Sequence, residues 1–520
     1  MKNNHFYVTT PLYYVNSKPH LGTLYTTLLA DVAARFKKLM GKEVFFLTGT
    51  DEHGQKVADK AKGEGKKPKE FVDSMIPAFK DTWKLYGIEY NKFIRTTDSE
   101  HEVAVTKLIK ELQDRGDIYK SEYSGWYCVP CETFITITSE ILKENSKYLC
   151  PSCKRELKEI KEENYFFRLS AYGEQLLKFY EDHPNFIIPR ERLNEVVSFV
   201  KSGLEDLSIS RKAVKWGIPF PGDPEHTIYV WADALTNYIA AIGYGQDDEA
   251  SKENFKKWWP ADIHMMAKDI VRFHAIYWPA FLMALDLPIP QRLLVHGYIL
   301  TNGDKMSKSL GNVIDPSELA KEYGTEPIRY YFIRQMSVHQ DGKFDIGELE
   351  NRISADLANN LGNLLSRTVS LAINNDLETV FSSKALEPAS ASLHVRCEEA
   401  YRAYWDGMNH FEYHIALADL WKFISEINVY FNDQRPWKIV KENKELFEEI
   451  ISSVCHCLET VALMAWPIMP KKMETLLNCL GQKFDLKNNY EELLRKNIWN
   501  RTYNLKKPEI PLFVRPEKKE

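Results

Sequence analysis

The sequence predicts an α/β protein with a doubly wound parallel sheet of the Rossmann type, a small cysteine-rich insertion and a C-terminal α-helical bundle. Three observations support this prediction. A strand–helix–strand pattern spans residues 5–47, four closely spaced cysteines lie between residues 128 and 153, and helical periodicity prevails beyond Val313. The 520 residues exceed what one hydrophobic core usually supports, so two to four domains are expected.

Composition and charge exclude few functions. No run of eighteen apolar residues is present, so no membrane span is expected. The chain enters its first strand by residue 5, which leaves no room for a targeting peptide and favours the cytosol. The net charge of −5 neither supports nor excludes a nucleic-acid partner, because phosphate contacts depend on a local basic patch.

The first element is a strand at residues 5–10, followed by an irregular turn at 11–18 and a helix that the motif PHLGT opens. The helix prediction rests on an apolar stripe at spacings of three and four, ended by a glycine: Leu21, Leu24, Leu28, Val32, Phe36, Leu39 and then Gly41. A second strand at 44–47 runs into TGTDEHG. Both strands should be parallel and end at one rim of the sheet.

Two candidate ligand-binding features lie at this rim. At Pro19, His20 and Gly22, free backbone N–H groups and the positive end of the helix dipole favour an anion such as a phosphate. Gly22 would admit a flat ligand and His20 would offer a hydrogen-bond donor, although an incidental imidazole at a helix start is the alternative. Asp51 ends the second strand, where it either holds an amino group or caps a helix at 52–60.

Cys128, Cys131, Cys150 and Cys153 form two CxxC pairs. This spacing is typical of a tetrahedral zinc knuckle with four thiolate ligands, which leaves no open coordination position and therefore indicates a structural metal. A disulfide pairing is the weaker alternative, because the chain has no secretory feature. The other cysteines lie in helical segments and are expected to be buried thiols: Cys397, Cys455, Cys457 and Cys479.

The insertion is expected to end near residues 206–211, where the pattern alone makes Arg211 a surface residue. The elements expected after it are a proline-rich connection at 216–224, a strand-like segment at 228–231, a helix at 233–242, a strand at 262–266 and a helix that carries Phe273, His274, Tyr277 and Trp278. Aromatic residues at helical spacing form either core or a ligand pocket. The pocket is favoured here because these residues follow strand ends that meet at one rim.

A strand at 293–300 precedes the residues TNGDKMSKSLGN. Lys305 and Lys308 either belong to a solvated loop or form a mobile arm whose ammonium groups neutralise a triphosphate. In the helical region, residues 353–373 carry an apolar stripe on Ile353, Leu357, Leu361, Leu364 and Leu371. Asn363 and Arg367 share another helix face, and Trp437 follows Pro436 at an expected loop-to-helix corner.

PHLGT and KMSKS together resemble the two signature motifs of class I aminoacyl-tRNA synthetases. The segments TTPLYYVN, LTGTDEHG, YVWADALTNY, AKDIVRFHAIYWP, VHGYILTNGDKMSKSLGN, GNLLSR and QRPW are similar to the methionyl-tRNA synthetase family, over nearly all of residues 5–510. The resemblance implies that methionine is activated with ATP to methionyl-adenylate and then transferred to the terminal adenosine of tRNA(Met). Another class I synthetase or a non-catalytic tRNA-binding relative is the alternative.

The resemblance also assigns roles to residues. The implied catalytic residues are His20, Gly22, Thr23, Arg211, Asp269, His296, Lys305 and Lys308. The implied methionine pocket consists of Pro11, Leu12, Tyr14, Asp51, Trp231, Ala234, Leu235, Tyr238 and His274, with His53 on the same rim. ATP binding is implied for His20, Gly22, Lys268, His296, Gly297 and Lys308, and recognition of the CAU anticodon for Asn363, Arg367 and Trp437. The zinc ligands would be Cys128, Cys131, Cys150 and Cys153.

Two positions depart from the family pattern. Thr23 stands where many class I enzymes have a second histidine, and Ala267 stands where the sequence GKDI is common. The resemblance therefore does not predict how Thr23 and Ala267 affect the reaction rate. Neither departure breaks the resemblance.

The expected organisation has five parts. Residues 1–116 and 216–296 form the two halves of the catalytic domain, 117–215 the connective insertion with its knuckle, 297–348 the KMSKS loop with a stem-contact region, and 349–520 the anticodon-binding helical domain. The insertion is too small for a separate editing domain. Structural Zn²⁺ and the Mg²⁺ that accompanies ATP are the expected metals, and tRNA(Met), L-methionine and ATP the partners of a cytoplasmic monomer.

Overall fold

The computed structural model describes residues 4–128, 133–135, 141–144, 147–151, 154–301, 304–305, 314–382 and 387–517. The first half of the central sheet comprises β1 (His5–Tyr14), α1 (Leu21–Leu39), β2 (Glu43–Asp51), α2 (Gln55–Gly63), α3 (Pro68–Leu85), β3 (Lys92–Arg95) and α4 (Ser99–Asp114). The predicted stripe of α1 is confirmed, because all of its residues are buried. The helix ends before Gly41, whose φ of +73° suits glycine.

The turn predicted at residues 11–18 is partly wrong. β1 continues to Tyr14, and its parallel pairing with β2 breaks between Thr9 and Leu12 before it resumes. Pro11 lies in this break, and it has no N–H group for the ladder. The irregularity is therefore a bulge inside a long strand rather than the end of a short one.

The inserted segment forms its own antiparallel sheet. Its elements are β4 (Ile118–Cys128), β5 (Thr133–Ile135), β6 (Leu142–Glu144), β7 (Lys147–Leu149), β8 (Lys158–Phe167), α5 (Gly173–Asp182), β9 (Ile187–Ile188), α6 (Arg190–Lys201), β10 (Leu207–Ser208) and β11 (Ser210–Arg211). After the insertion, β12 (Pro219–Phe220) and β13 (Asp223–Ile228) join β11 in a small antiparallel sheet. The main sheet of the inserted segment has the order β10-β8-β4-β5. β9 is an exception, because it joins the edge of the central sheet.

The second half of the central sheet comprises α7 (Val230–Ala240), α8 (Glu249–Trp258), β14 (Ile263–Ala267), a 3₁₀-helix (Lys268–Ile270), a π-helix (Phe273–Tyr277), α9 (Trp278–Ala284) and β15 (Leu293–His296). The strand order is β3-β2-β1-β14-β15-β9, and every pairing is parallel. The predicted doubly wound parallel sheet is confirmed. The strand-like prediction for 228–231 holds only at Ile228, the last residue of β13, because α7 begins at Val230.

The remaining elements are β16 (Ile299–Thr301), β17 (Asp304–Lys305), α10 (Pro316–Tyr323), α11 (Thr325–Gln335), β18 (Gly342–Phe344), α12 (Ile346–Arg352), a π-helix (Ile353–Gly362), α13 (Asn363–Ile373), β19 (Thr379–Phe381), α14 (Pro388–Asn409), α15 (Tyr413–Gln434), α16 (Pro436–Glu442), α17 (Lys444–Ala465), α18 (Pro470–Cys479), α19 (Tyr490–Arg495) and β20 (Thr502–Asn504). These helices form the predicted bundle, in which Cys397, Cys455, Cys457 and Cys479 are buried as expected. Among the described residues, no helix is long and apolar enough to cross a membrane.

The single strand predicted at 293–300 is two strands in different sheets. β15 ends at His296, and β16 begins at Ile299 in a small sheet with β17 and β18. The break is at Gly297, where an added Cβ would lie 2.2 Å from the carbonyl oxygen of Gln340. Only glycine permits this close approach of the two backbones, which turns the chain out of the central sheet.

Two buried charges on α11 join the sheet domain to the helical bundle. The guanidinium of Arg329 donates to the Asp31 carboxylate of α1 at 2.6 Å and to the carbonyl oxygen of Ile468 at 2.6 Å. Burial opposes the charge on Asp31, but Arg35 and Arg329 outweigh it and lower the pKa of that carboxyl. The Glu326 carboxylate accepts two backbone N–H groups at the start of α18, both at 2.7 Å. α11 thus holds both α1 and the α17–α18 corner.

Candidate active site

A cavity of about 280 Å³ lies at the carboxyl edge of the central sheet. Its walls come from the end of β1 and the turn before α1, the tip of β2, helix α7, the segment after β14 and the end of β15. This is the position where open parallel sheets bind their ligands, since loops from adjacent strands diverge there.

The structure brings most of the predicted site residues together in this cavity. Those that line it are Pro11, Leu12, Tyr14, His20, Gly22, Thr23, Asp51, Trp231, Ala234, Leu235, Tyr238, Asp269, His274, His296 and Gly297. Ala267, noted above as a departure from the family pattern, also lines the cavity. Sequence reasoning misses further lining residues: Tyr13, Asn16, Ser17, Lys18, Thr26, Phe79, Asn237, Ile270, Tyr298 and Ile299. Helical spacing gives a signal for two of them, because Thr26 lies one turn beyond Gly22 and Asn237 one turn beyond Ala234.

His20 caps the helix that points into the cavity. Its Nδ1 accepts the backbone N–H of Gly22 at 3.0 Å, and the hydroxyl of Thr23 accepts the His20 N–H at 2.9 Å. The prediction of a free N–H group at Gly22 is therefore wrong, because the imidazole of the N-cap residue occupies it. Since Nδ1 is an acceptor, the proton of the neutral ring is on Nε2, which makes that atom a donor.

Gly22 has a local role beside this cap. A Cβ at residue 22 would lie 2.9 Å from Cε1 of His20. The absence of a side chain at Gly22 therefore makes room for the imidazole itself, in addition to any ligand above it.

His296 is a neutral, buried histidine at the end of β15. Burial lowers its pKa to about 4. Its Nδ1 donates to the carbonyl oxygen of Gly297 at 2.7 Å, so Nε2 accepts the hydroxyl proton of Thr26 at 2.7 Å. The ring lines the cavity, while both of its nitrogens bond to the protein.

Neutral aromatic side chains form the opposite wall. Trp231 of α7 stacks on Phe273 with ring centroids 3.6 Å apart. His274 donates from Nδ1 to the carbonyl oxygen of Ile270 at 2.9 Å and accepts the hydroxyl proton of Tyr238 on Nε2 at 2.7 Å. Burial lowers the pKa of His274 to about 4, so this wall carries no charge at neutral pH. Such a surface suits an uncharged, polarisable side chain.

Asp51 brings a carboxylate to the tip of β2 on the cavity wall, with 4% of its surface exposed. It does not cap a helix, because α2 begins only at Gln55, after Gly54. The neighbouring Glu52 accepts two hydrogen bonds from Arg95 at 2.7 and 2.8 Å, which fixes the backbone of the tip. A fixed carboxylate in a small, largely buried cavity is suited to a ligand cation.

Arg211 and Lys268 lie outside the cavity lining. The guanidinium of Arg211 donates to the backbone carbonyl of Ser210 at 2.7 Å and lies 4.3 Å from the ring of Tyr229, in a narrow neighbouring pocket. The ammonium group of Lys268 bonds both carboxylate oxygens of Asp341 at 2.8 Å. Arg211 is buried, so the pattern-based expectation of a surface residue is wrong.

His53 does not line the cavity rim, contrary to the expectation. It points away into the protein, where its Nδ1 lies 2.6 Å from the carboxylate of Asp233. Lys305 lies in β17, of which only the backbone is described. Lys308 lies outside the described residues.

The predicted zinc site is described in part. Cys128 at the end of β4 and Cys150 after β7 are buried and pack with Leu157 in one small apolar cluster. Two thiols brought to one place fit a thiolate-bound metal. Cys131 and Cys153 lie outside the described residues, and within the described ranges no group of three metal-ligating side chains gathers.

The three predicted anticodon residues lie on the surface of the helical bundle. Asn363 is exposed on α13, and Trp437 on α16 is 40% exposed. Arg367 donates to the side-chain oxygen of Asn432 at 2.8 Å, and its guanidinium lies 5.0 Å from the ring of Phe431 and 5.9 Å from that of Trp437. Sequence spacing gives no signal for Asn432 and Phe431. We call Asn363, Arg367, Asn432 and Trp437 the Arg367 surface, beneath which Phe431 is buried.

The chain is similar to known families over most of its length. The profile described as tRNA synthetases class I (M) matches residues 6–369, and that described as anticodon binding domain of methionyl tRNA ligase matches residues 380–507. The methionine–tRNA ligase of Thermotoga maritima is 48% identical over 470 residues, which cover 90% of this chain and 74% of the relative. That of Caldanaerobacter subterraneus is 46% identical over 488 residues, covering 92% and 74%.

Solved structures show the same likeness. Mycobacterium tuberculosis methionyl-tRNA synthetase in complex with methionyl-adenylate superposes with a TM-score of 0.93 at 37% identity, covering 98% of this chain and 100% of that one. The apo form of the Mycobacterium tuberculosis protein superposes with a TM-score of 0.87 at 34% identity, covering 99% of each chain.

Proposed function

The chain belongs to the class I methionyl-tRNA synthetase family, and from that premise we propose that it is a methionine–tRNA ligase. The enzyme activates L-methionine with ATP to methionyl-adenylate and pyrophosphate, and then transfers the methionyl group to the 3′-terminal adenosine of tRNA(Met) for protein synthesis. One observation carries this proposal. A carboxylate, a neutral aromatic wall and the start of a helix with a donor imidazole meet in one cavity at the carboxyl edge of the sheet.

Methionine binds between Asp51 and α7. The Asp51 carboxylate pairs with the α-ammonium group, and the side chain lies against Trp231, Leu235 and Tyr238. The thioether gains roughly 0.3 to 1.5 kcal/mol from each aromatic contact. Pro11, Leu12, Tyr14, Ala234 and His274 complete the proposed pocket.

ATP binds over the start of α1. Nε2–H of His20 and the positive end of the α1 dipole face the phosphates, and Gly22 keeps the approach open. The proposed nucleotide side of the cavity is completed by Thr23, Asp269, His296 and Gly297. Lys268 is proposed to exchange its Asp341 partner for the nucleotide, and Arg211 is proposed to act from the neighbouring pocket. Mg²⁺ accompanies ATP as its counterion.

In the first step, a carboxylate oxygen of methionine attacks the α-phosphorus and the bond to pyrophosphate breaks. Negative charge grows on the phosphate oxygens, where the His20 donor and the ammonium groups of Lys305 and Lys308 stabilise it. In the second step, a ribose hydroxyl of the terminal adenosine attacks the methionyl carbonyl and releases AMP. Positioning and charge stabilisation account for the catalysis, because no covalent bond to the protein is needed.

A structural Zn²⁺ is proposed at Cys128, Cys131, Cys150 and Cys153. The support is that Cys128 and Cys150 are buried in one cluster of the insertion. The metal would supply a four-thiolate crosslink there. Metal analysis of the purified protein should give one zinc per chain, and Cys128→Ser should lower this content.

The proposed domain boundaries are those expected from the sequence. We propose that residues 1–116 and 216–296 form the catalytic domain, 117–215 the connective insertion, 297–348 the KMSKS and stem-contact region, and 349–520 the anticodon-binding domain of a cytoplasmic monomer. Asn363, Arg367 and Trp437 would hold the unstacked bases of the CAU anticodon by hydrogen bonds and stacking.

ATP–pyrophosphate exchange with each of the twenty amino acids tests the activation step. Methionine alone should support exchange, and Lys308→Ala should abolish it. Exchange with another amino acid would overturn the pocket assignment while preserving the class. Absence of exchange in folded protein would favour the second candidate, a tRNA-binding relative without activity.

A further inference from the structure

A buried carboxylate behind the cavity wall joins two histidines from different elements. The carboxylate belongs to Asp233 of α7. Its Oδ2 lies 2.6 Å from Nδ1 of His53, which follows β2, and its Oδ1 lies 2.7 Å from Nε2 of His101 in α4. All three side chains are at most 4% exposed. None of them lines the cavity, so the cluster has no direct contact with a ligand there.

The cluster connects the two walls that are proposed to hold methionine. His53 comes two residues after Asp51, whose carboxylate lies on one side of the cavity. Asp233 lies in α7 between Trp231 and Ala234, which lie on the other side. The His53–Asp233 bond therefore ties the tip of β2 to the helix that carries the aromatic wall.

Further contacts hold the tip of β2 from its other side. The His53 ring packs edge-on against Trp216, with centroids 5.3 Å apart, and Gly54 donates its N–H to the Trp216 carbonyl at 2.9 Å. The Trp216 indole N–H in turn donates to the carbonyl oxygen of Glu52 at 2.6 Å. The tip is held in this way on one side, and the bond of His53 to Asp233 joins it to α7 on the other.

The charges favour an ion pair at this bond. Burial opposes charge on His53, but Asp233 outweighs burial and raises the pKa of the imidazole. Burial likewise opposes charge on Asp233, while His53 and His101 lower its pKa. The charged or titratable groups that face His53 are Asp233 on α7, His101 and Glu102 on α4, Glu52 on its own segment, and Arg211 with Tyr229 across the narrow pocket.

We propose that His53 and Asp233 are positioning residues for methionine, with His101 orienting the shared carboxylate. Their bond sets the separation between the Asp51 carboxylate and the aromatic wall, and thereby the fit of the ammonium group and the side chain together. The inference rests on the proposed function, since it assigns methionine to this cavity. Neither residue touches the substrate.

Kinetics of ATP–pyrophosphate exchange separate a positioning role from a merely structural one. His53→Ala should raise the KM for methionine about tenfold to a hundredfold, as expected for loss of a hydrogen bond between charged groups, while the KM for ATP and kcat stay within about twofold. His53→Asn places an amide donor near the position of Nδ1 and should restore most of the affinity. The matched control is His456→Ala, which removes a buried histidine bonded to Asn497 at 2.9 Å in the helical bundle.

The pH dependence supplies a second test that does not depend on the folding of His53→Ala. In the wild-type enzyme, the ion pair is present below the raised pKa of His53 and is lost as the pH rises through it, so the KM for methionine should rise with pH. The methionine ammonium group also titrates at alkaline pH, and His53→Asn, which cannot be protonated, reports that contribution alone. The difference between the wild-type and His53→Asn pH profiles of the methionine KM therefore measures the contribution of His53.

Each outcome decides the inference. The positioning role is overturned if His53→Ala leaves the methionine KM unchanged, raises the KM for ATP equally, or behaves like His456→Ala. It is also overturned if the KM for methionine has the same pH profile in His53→Asn as in the wild type. Failure of the proposed function would look different. In that case the wild-type protein itself would show no methionine-dependent exchange.

Discussion

The cavity at the sheet edge and the Arg367 surface on the helical bundle differ in how their polar groups are held. In the cavity, His274 and His296 are buried and bonded through both ring nitrogens, which fixes their positions before a ligand arrives. On the Arg367 surface, Trp437 is 40% exposed, and Arg367 makes one side-chain hydrogen bond within the described part of the chain, to Asn432. The first arrangement suits a small ligand that binds in one conformation, whereas the second can adjust to flexible, unstacked bases.

The largest effect should come from removing charge inside the cavity. Asp51→Asn leaves the ammonium group of methionine without its counter-charge in a buried site, so kcat/KM for methionine should fall about a hundredfold to a thousandfold. ATP–pyrophosphate exchange measures this. Asp114→Asn is the matched control, because Asp114 is an exposed carboxylate at the end of α4. An unchanged kcat/KM in Asp51→Asn would contradict the assignment of the ammonium site.

A smaller and separable effect should follow from truncating the Arg367 surface. Trp437→Ala removes a stacking platform and should lower kcat/KM for charging of tRNA(Met) about tenfold to a hundredfold, because stacking contributes roughly 1 to 3 kcal/mol per base. Methionine activation without tRNA should be unaffected. Phe381→Ala, which truncates a 50% exposed aromatic side chain elsewhere in the bundle, should change neither activity. Equal loss of activation and charging would contradict a role confined to tRNA.

Acid should destabilise the protein through the cavity histidines. The folded-state pKa of His274 is lowered to about 4, so the unfolded chain binds the proton more readily and stability falls as the pH drops from about 6.5 towards 4. Between pH 7 and 5 this ring should contribute a loss of roughly 2 kcal/mol in the free energy of unfolding. Urea titrations at the two pH values should show a smaller loss in His274→Asn. The exposed control His183→Asn should resemble the wild type.

The smallest expected effect concerns the partner of Arg367. Asn432→Ala removes one hydrogen bond on an exposed surface and should lower kcat/KM for tRNA charging only about twofold to tenfold. Aminoacylation with the wild-type and variant enzymes measures it. Should Asn432→Ala exceed the loss in Trp437→Ala, the Arg367 surface would be as rigidly organised as the cavity, and the contrast between the two regions would be wrong.

The sequence alone predicts the location of the cavity better than its bonding. His20 after β1 and Asp51 at the end of β2 could be placed at one rim because parallel strands end on one side of a sheet, and the family resemblance added Trp231 and His296. The partners of these groups could not, because they depend on contacts between distant residues, as in the bond of Thr26 to His296. The strand breaks were also missed, and that at Gly297 arises from its approach to Gln340, which no local pattern encodes.

The same limit applies to single side chains. Arg211 and His53 both lie outside the cavity lining, because Arg211 bonds the carbonyl of Ser210 and lies against the ring of Tyr229, and His53 bonds Asp233 of α7. The resemblance pointed Arg211 towards the adenylate site and His53 towards the rim, and neither residue lines the cavity. Thr26 and Asn237 are the opposite case, since periodicity along α1 and α7 is sufficient to find them.

The contacts of α11 with both domains bear on how the protein unfolds. Arg329 is 1% exposed, and its guanidinium donates both to Asp31 of α1 and to the carbonyl of Ile468. Separation of the helical bundle from the sheet domain would therefore leave buried polar and charged groups without partners. Neither domain can therefore melt without destabilising the other. Thermal denaturation should be a single cooperative transition in which the sheet and the bundle unfold together.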